Sequence, residues 1–240
     1  TTMLLKPFSA ALLLFSAYLA AADERGIYLD KTRVVLLSDK SAAPIGVINR
    51  STSRAWLIRG WVDAYSGAGD DTFLVTPTLF RLGPDSQIRL RVNAIRADRL
   101  PQDRESVFRL NVLSIPARDA QTPEGDTQVS GSLSTALNNQ IKLFYRPLSL
   151  HRPAEIDAAY RRLRFEKNPQ GVRVVNPTPY YVTLADVTIN DRRLNGVQET
   201  MVAPLGELIL PFIPAASAQR IRYSAINDYG GRADVLQRDL

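Results

Sequence analysis

Apolar and polar residues alternate along this chain in short runs. Ile88-Arg89-Leu90-Arg91-Val92 and Phe108-Arg109-Leu110-Asn111-Val112 are apolar at every second position, and weaker runs of the same kind surround Trp56 to Trp61 and Tyr180 to Leu184. A period of two belongs to a strand with one face buried and the other in water. Turn-forming clusters separate the runs: Ser66 to Asp71, Leu82-Gly83-Pro84-Asp85, Asn168-Pro169-Gln170-Gly171 and Asn227 to Gly231. Only Ala154 to Arg164 has a helical pattern, enough for one turn or two. Many short antiparallel strands joined by turns predict an all-β protein built from β-sandwiches.

One break divides the pattern. In Arg146-Pro147-Leu148-Ser149-Leu150-His151-Arg152-Pro153 two prolines bracket a segment that follows a strand and precedes the helical turn. The expected organisation is a first domain over 23–146, a linker at 147–153 and a second domain over 154–240. A loop rich in Asp, Thr, Gly, Gln and Ser, Ala117 to Ser132, is expected between two strands of the first domain.

Residues 1–22 have the three parts of an export signal: Lys6, the apolar stretch Phe8 to Leu19, and the small residues Ala20-Ala21-Ala22. Cleavage would leave a protein starting at Asp23. No later segment approaches the 18 or so apolar residues of a membrane span. An exported chain with no cysteine must be stabilised by packing rather than by disulfides, which suits a bacterial periplasm. The net charge of +6 is spread over alternating strand positions. Nucleic-acid binding needs a clustered basic stripe, so no nucleic-acid partner is expected.

The residue census argues against catalysis. His151 is the single histidine and lies in the linker, no Gly-x-Ser-x-Gly elbow or glycine-rich phosphate loop is present, and one histidine without cysteine is too few ligands for an ordinary zinc or copper site. Asp70-Asp71 and Asp103/Glu105 read as solvated turn acids. The expectation is a binding protein with no enzymatic activity, no cofactor and no metal. Within it, Asn139-Gln140-Ile141-Lys142-Leu143-Phe144-Tyr145-Arg146-Pro147 sets Lys142 inside an apolar strand, where a cation needs an anionic partner.

Several of these stretches, taken in order, carry a resemblance. Leu29-Asp30-Lys31-Thr32-Arg33, Leu100-Pro101-Gln102-Asp103-Arg104-Glu105-Ser106-Val107-Phe108 with Ile115-Pro116, Ile141 to Pro147, Asn176-Pro177-Thr178-Pro179-Tyr180-Tyr181 and Ile226-Asn227-Asp228-Tyr229-Gly230-Gly231 are similar to the motifs of the PapD-like periplasmic chaperones of the chaperone-usher pathway. The resemblance implies two immunoglobulin-like sandwiches set at an angle with a cleft between them. It implies a periplasmic protein that binds fimbrial (pilin) subunits by donating a strand and hands them to an outer-membrane usher. Capping of the empty strand by a second copy of the chain is an alternative the residues leave open.

Residue by residue, Arg33 and Lys142 match the cleft cations that hold a subunit's terminal carboxylate, a role suited to a guanidinium fork and an ammonium. Leu133, Thr135, Leu137, Asn139 and Ile141 match the donor strand that fills a subunit's open groove, a form of β-augmentation. Strict alternation puts Lys142 on the opposite face from Leu137, so either a bulge intervenes or the two roles use different faces. Glu105, Arg146 and Asp228 match an ionic cluster between the domains. If partly exposed, such a cluster adds little stability and serves to fix the domain angle. Thr135 and Asn139 weaken the apolar ladder, Thr78 stands where the family has a second proline, and the long loop lacks the cysteine pair of long-loop members. The rival expectation is a secreted immunoglobulin-like binding or adhesive protein without chaperone activity.

Overall fold

The computed structural model describes residues 26–117, 135–194 and 200–240. The expected export signal at 1–22, the start at Asp23, nearly all of the 117–132 loop, and Leu133 lie outside these residues.

The first sandwich contains β1 (Ile27–Leu29), β2 (Arg33–Leu37), β3 (Ala42–Asn49), β4 (Trp56–Ala64), β5 (Phe73–Thr76), β6 (Leu79–Leu82), β7 (Ser86–Ala94), β8 (Ser106–Pro116) and β9 (Leu137–Arg146). One sheet has the order β1-β3-β7-β5 and the other β2-β9-β8-β4-β6. Their inner faces meet through Val34, Leu36, Ile45, Val47, Ile58, Leu90, Val92, Leu110, Val112 and Leu143, all buried. The alternation read in 88–92 and 108–112 is thus the alternation between core and outer face, with Arg89 and Arg91 exposed. Asn111 departs from it, being only 1% exposed although it lies on the outer face.

All strand pairs of this sandwich are antiparallel except one. The chain leaves β1 in the first sheet, crosses at Asp30 to Thr32, and enters the second sheet as β2, which runs parallel to β9. The sequence patterns, which register only alternation, carry no sign of that crossing.

The second sandwich is built from β10 (Arg164–Asn168), β11 (Gly171–Val175), β12 (Val182–Ile189), β13 (Arg192–Arg193), β14 (Met201–Val202), β15 (Glu207–Pro211), β16 (Arg220–Ala225) and β17 (Leu236–Asp239). Sheet β10-β11-β15 faces sheet β13-β12-β16-β17, with β14 also on β12. Its core holds Val172, Val174, Leu184, Ile189, Leu210, Ile221 and Tyr223. Before β10 the chain forms α1 (Pro153–Ala158), with proline in the first turn, and a 3-10 turn at Ala159–Arg162 whose Tyr160 is buried in this core. The helical turns expected within 154–164 fall here.

Contact between the sandwiches fixes one glycine. Gly230 has φ +84°, and a Cβ on it would stand 2.2 Å from Thr32 Oγ1 of the first sandwich, so both its backbone angle and its neighbour exclude a side chain.

Candidate functional site

Strand β9 has two unequal halves. On one side it pairs with β8 along its whole length, in a single register from Ser106↔Tyr145 to Ser114↔Leu137. On the other side β2 pairs only with Lys142 to Arg146. Residues Leu137 to Ile141 therefore have no strand neighbour on that side among the described residues. A row of backbone donors and acceptors is open there, the feature a sheet edge offers to an added strand.

The unbroken register decides between the two alternatives left by alternation. No bulge separates Leu137 from Lys142, so the two lie on opposite faces. Leu137, Asn139 and Ile141 share the face that leads into the core, while Thr135 is exposed and precedes the strand. Ile141 packs against that core, Asn139 is half-buried, and Leu137 is 42% exposed. The apolar face of β9 thus runs outward from its own sandwich toward open space.

Arg33 and Lys142 come together where the open edge begins. They are direct register partners at the start of β2, on the outer face. Arg109 of β8 is the next partner across from Lys142, and Asp63 of β4 the next after that. Three cations thus stand abreast on neighbouring strands, with the Asp63 carboxylate at the far end of the row. The ring of Tyr65 lies 4.8 Å from the Arg109 guanidinium and 5.8 Å from the Lys142 ammonium. Arg109 had read as one cation of a solvated face, and its place in this row follows from strand pairing alone.

Arg33 also faces the second sandwich. Its Nη1 donates to the Ile226 carbonyl at 3.2 Å, and its guanidinium lies 5.5 Å from the Phe144 ring. Burial lowers its pKa, while Asp228 and Glu105 pull it back up. Phe144 in turn meets Tyr181 with ring centroids 5.9 Å apart. Beside Arg33 the two sandwiches enclose a cleft of about 310 Å³, whose walls include Phe144, Tyr181, Ile226 and Asp228.

The ionic cluster assembles at the floor of this cleft. Arg146 Nε donates to Glu105 at 2.6 Å, and Nη1 and Nη2 donate to the two Asp228 oxygens at 2.7 and 2.9 Å. The other Glu105 oxygen accepts the Tyr181 backbone N–H at 2.7 Å, and the Glu105 N–H donates to the Pro179 carbonyl at 3.0 Å. The cluster is exposed on one side only. Asp228 is 31% exposed at the side chain, but Arg146 and Glu105 are at 3% and 2%. Burial pushes the Glu105 carboxyl up, and Arg146 and the Tyr181 N–H pull it down. Burial alone would lower Arg146, but Asp228 and Glu105 outweigh it, so the guanidinium holds its proton more tightly than usual. Sequence reasoning gave no role to Pro179 and Tyr181, although both lie in a motif it had singled out.

Among the described residues no group of His, Asp and Glu is arranged to hold a metal ion, and no helix is long and apolar enough to cross a membrane. What the site can do is bind an extended chain along the β9 edge and an anion at the start of β2.

The chain is similar to known proteins. Residues 26–151 match the pili and flagellar-assembly chaperone family, PapD N-terminal domain, and residues 158–236 match the pili assembly chaperone family, PapD C-terminal domain. Chaperone protein FimC of Escherichia coli strain K12 is 35% identical over 222 residues, which cover 92% of this chain and 88% of FimC. The crystal structure of the periplasmic chaperone SfaE superposes with a TM-score of 0.73 at 31% identity, covering 88% of this chain and 98% of SfaE. The SafB chaperone complex with the Salmonella enterica SafA pilin gives a match with a TM-score of 0.74 at 26% identity, covering 90% of this chain and 96% of the matched chain.

Proposed function

The chain belongs to the PapD-like pili-assembly chaperones, and from that premise we propose that it captures fimbrial subunits in the periplasm along the open edge of β9 and passes them to an outer-membrane usher. One observation carries the reading: Arg33 and Lys142 are partners where β2 starts, directly beside the uncovered stretch of β9. A subunit segment added beside Leu137 to Ile141 in the direction of β2 runs parallel to β9. Its last residue then arrives at the two cations, whose N–H donors suit a terminal carboxylate. Run the other way, the segment would bring its interior to the cations.

The faces divide the work. Thr135, Leu137, Asn139 and Ile141, to which the sequence adds Leu133, present one face of the donor strand to the subunit's groove, while Arg33 and Lys142 hold the chain end from the other. Ile141, packed on its own core, contributes least to the subunit. Glu105, Arg146 and Asp228 set the angle between a first domain at 23–146 and a second at 154–240, joined through 147–153. The activity is binding, with no catalytic step.

The test is co-expression with fimbrial subunits followed by co-purification, using Lys142→Ala and Arg33→Ala. Each substitution removes a charge-assisted contact of about 1.5–3 kcal/mol, so recovery of subunit falls at least about tenfold while the melting of Lys142→Ala stays at wild type. Wild-type recovery with both variants would refute the anchor.

A further inference from the structure

The open half of β9 is held along one edge only, by β8, and a half-paired strand end is the part of a sheet that opens most readily. Yet its outward side chains are tied down. Asn138 Nδ2 and Gln140 Nε2 both donate to Asn111 Oδ1, at 3.2 and 2.9 Å. Asn111 Nδ2 donates to Asp63 Oδ2 at 3.0 Å, and the Trp61 indole N–H donates to the same oxygen at 3.0 Å. Gln140 Oε1 accepts from Arg109 Nη1 at 3.1 Å. The two β9 residues that alternate with Leu137, Asn139 and Ile141 are thus fastened through one buried amide to the middle of the sheet.

We propose that Asn111 is a positioning residue for the donor edge. The proposal rests on the reading of Leu137 to Ile141 as the subunit-binding segment. An amide is what the place requires: its oxygen accepts two donors from β9 and its nitrogen donates to a carboxylate on β4. A leucine there would fasten nothing, and an aspartate would set a second carboxylate against Asp63. Burial of an amide is unfavourable unless its bonds are made, and these bonds lead to the uncovered strand rather than into the core. The network holds the edge straight and its faces sorted before a subunit arrives, so that less ordering is left to the binding step. It also ends at Arg109, the third cation of the row, so edge and anchor are held by the same set of side chains.

Hydrogen exchange of the free protein tests this without any subunit present. In the double variant Asn138→Ala, Gln140→Ala, whose changed residues are both exposed, protection of those amides in Leu137 to Ile141 that bond to β8 is expected to fall at least about tenfold. Protection of Leu143 to Tyr145 in the same strand, and the melting temperature, stay at wild type. Asn111→Asp gives a pH signature. At pH 7.5 two carboxylates oppose each other and protection of the segment is lost; at pH 5 a shared proton restores the bond and the protection. The charged and titratable groups around it are Asp63 and Arg59 on β4, Arg109 on β8, Lys142 on β9 and Tyr65 beyond β4, and the wild-type chain at each pH is the reference. Co-expressed subunit is recovered at least about fivefold less with the double variant. Unchanged protection in the double variant, no pH dependence in Asn111→Asp, or lost protection with wild-type subunit recovery would each overturn the proposal. Failure of the carboxylate anchor would be seen in the Arg33 and Lys142 variants and would leave the exchange result standing.

Discussion

Leu137→Glu abolishes subunit capture and leaves the free protein folded. Leu137 is 42% exposed, at the outer end of the β9 face whose inner end, Ile141, packs on the core. In the free protein a glutamate there stays in water, and stability changes by no more than about 0.5 kcal/mol. In a complex the same carboxylate would enter an apolar groove without a partner, at several kcal/mol. A loss of that size removes a hundredfold or more of affinity, on the order of what co-purification registers as absence. Asn138→Glu, on the opposite face, is expected to weaken capture only mildly. Thermal melting beside subunit recovery for the two variants separates the cases. Normal capture by Leu137→Glu would mean that the groove does not take this face, and unfolding of the free variant would mean that Leu137 belongs to the chaperone's own core.

The second large effect is on stability, and it distinguishes two acids of one cluster. Glu105→Ala leaves the Arg146 guanidinium, 3% exposed, with only Asp228, and leaves the Tyr181 N–H without its acceptor. Breaking a buried ion pair from one side costs about 3–5 kcal/mol, a fall in Tm of roughly 6–20 °C for a chain of this size. Asp228→Ala removes a carboxylate that is 31% exposed and costs about 1 kcal/mol or less. Its consequence is geometric: with the bidentate bond to Arg146 gone, small-angle scattering is expected to show a changed domain angle at nearly unchanged Tm. Equal Tm shifts for the two variants would contradict the burial difference.

The contrast between these acids shows where sequence reading reached and where it stopped. Motifs placed Glu105, Arg146 and Asp228 in one cluster, but which acid is buried depends on how Pro179 and Tyr181 of the second sandwich close over Glu105, and no local pattern encodes that. Alternation located β8, the apolar run at 139–147 located β9, and a period of two along that strand put Lys142 and Leu137 on opposite faces. Whether a bulge intervened needed the register with β8. Alternation also sent Asn111 outward, correctly as to face. Its burial comes from Asn138 and Gln140 on one side and Asp63 and Trp61 on the other, residues brought beside it by pairing between distant segments. The resemblance had put Arg33 and Lys142 together, but Arg109's place beside them was invisible for the same reason, and the parallel entry of β2 that pairs Arg33 with Lys142 follows from a change of sheet at Asp30 to Thr32.

The cations at the start of β2 are expected to receive a chain terminus. The most direct measurement is titration of the free protein with a peptide of about a dozen residues, alternating apolar and polar and ending in a free carboxylate, against the same peptide ending in an amide. The carboxylate peptide is expected to bind at least about tenfold more tightly, and Lys142→Ala to reduce this preference. Equal affinity of the two peptides for the wild-type chain would contradict it.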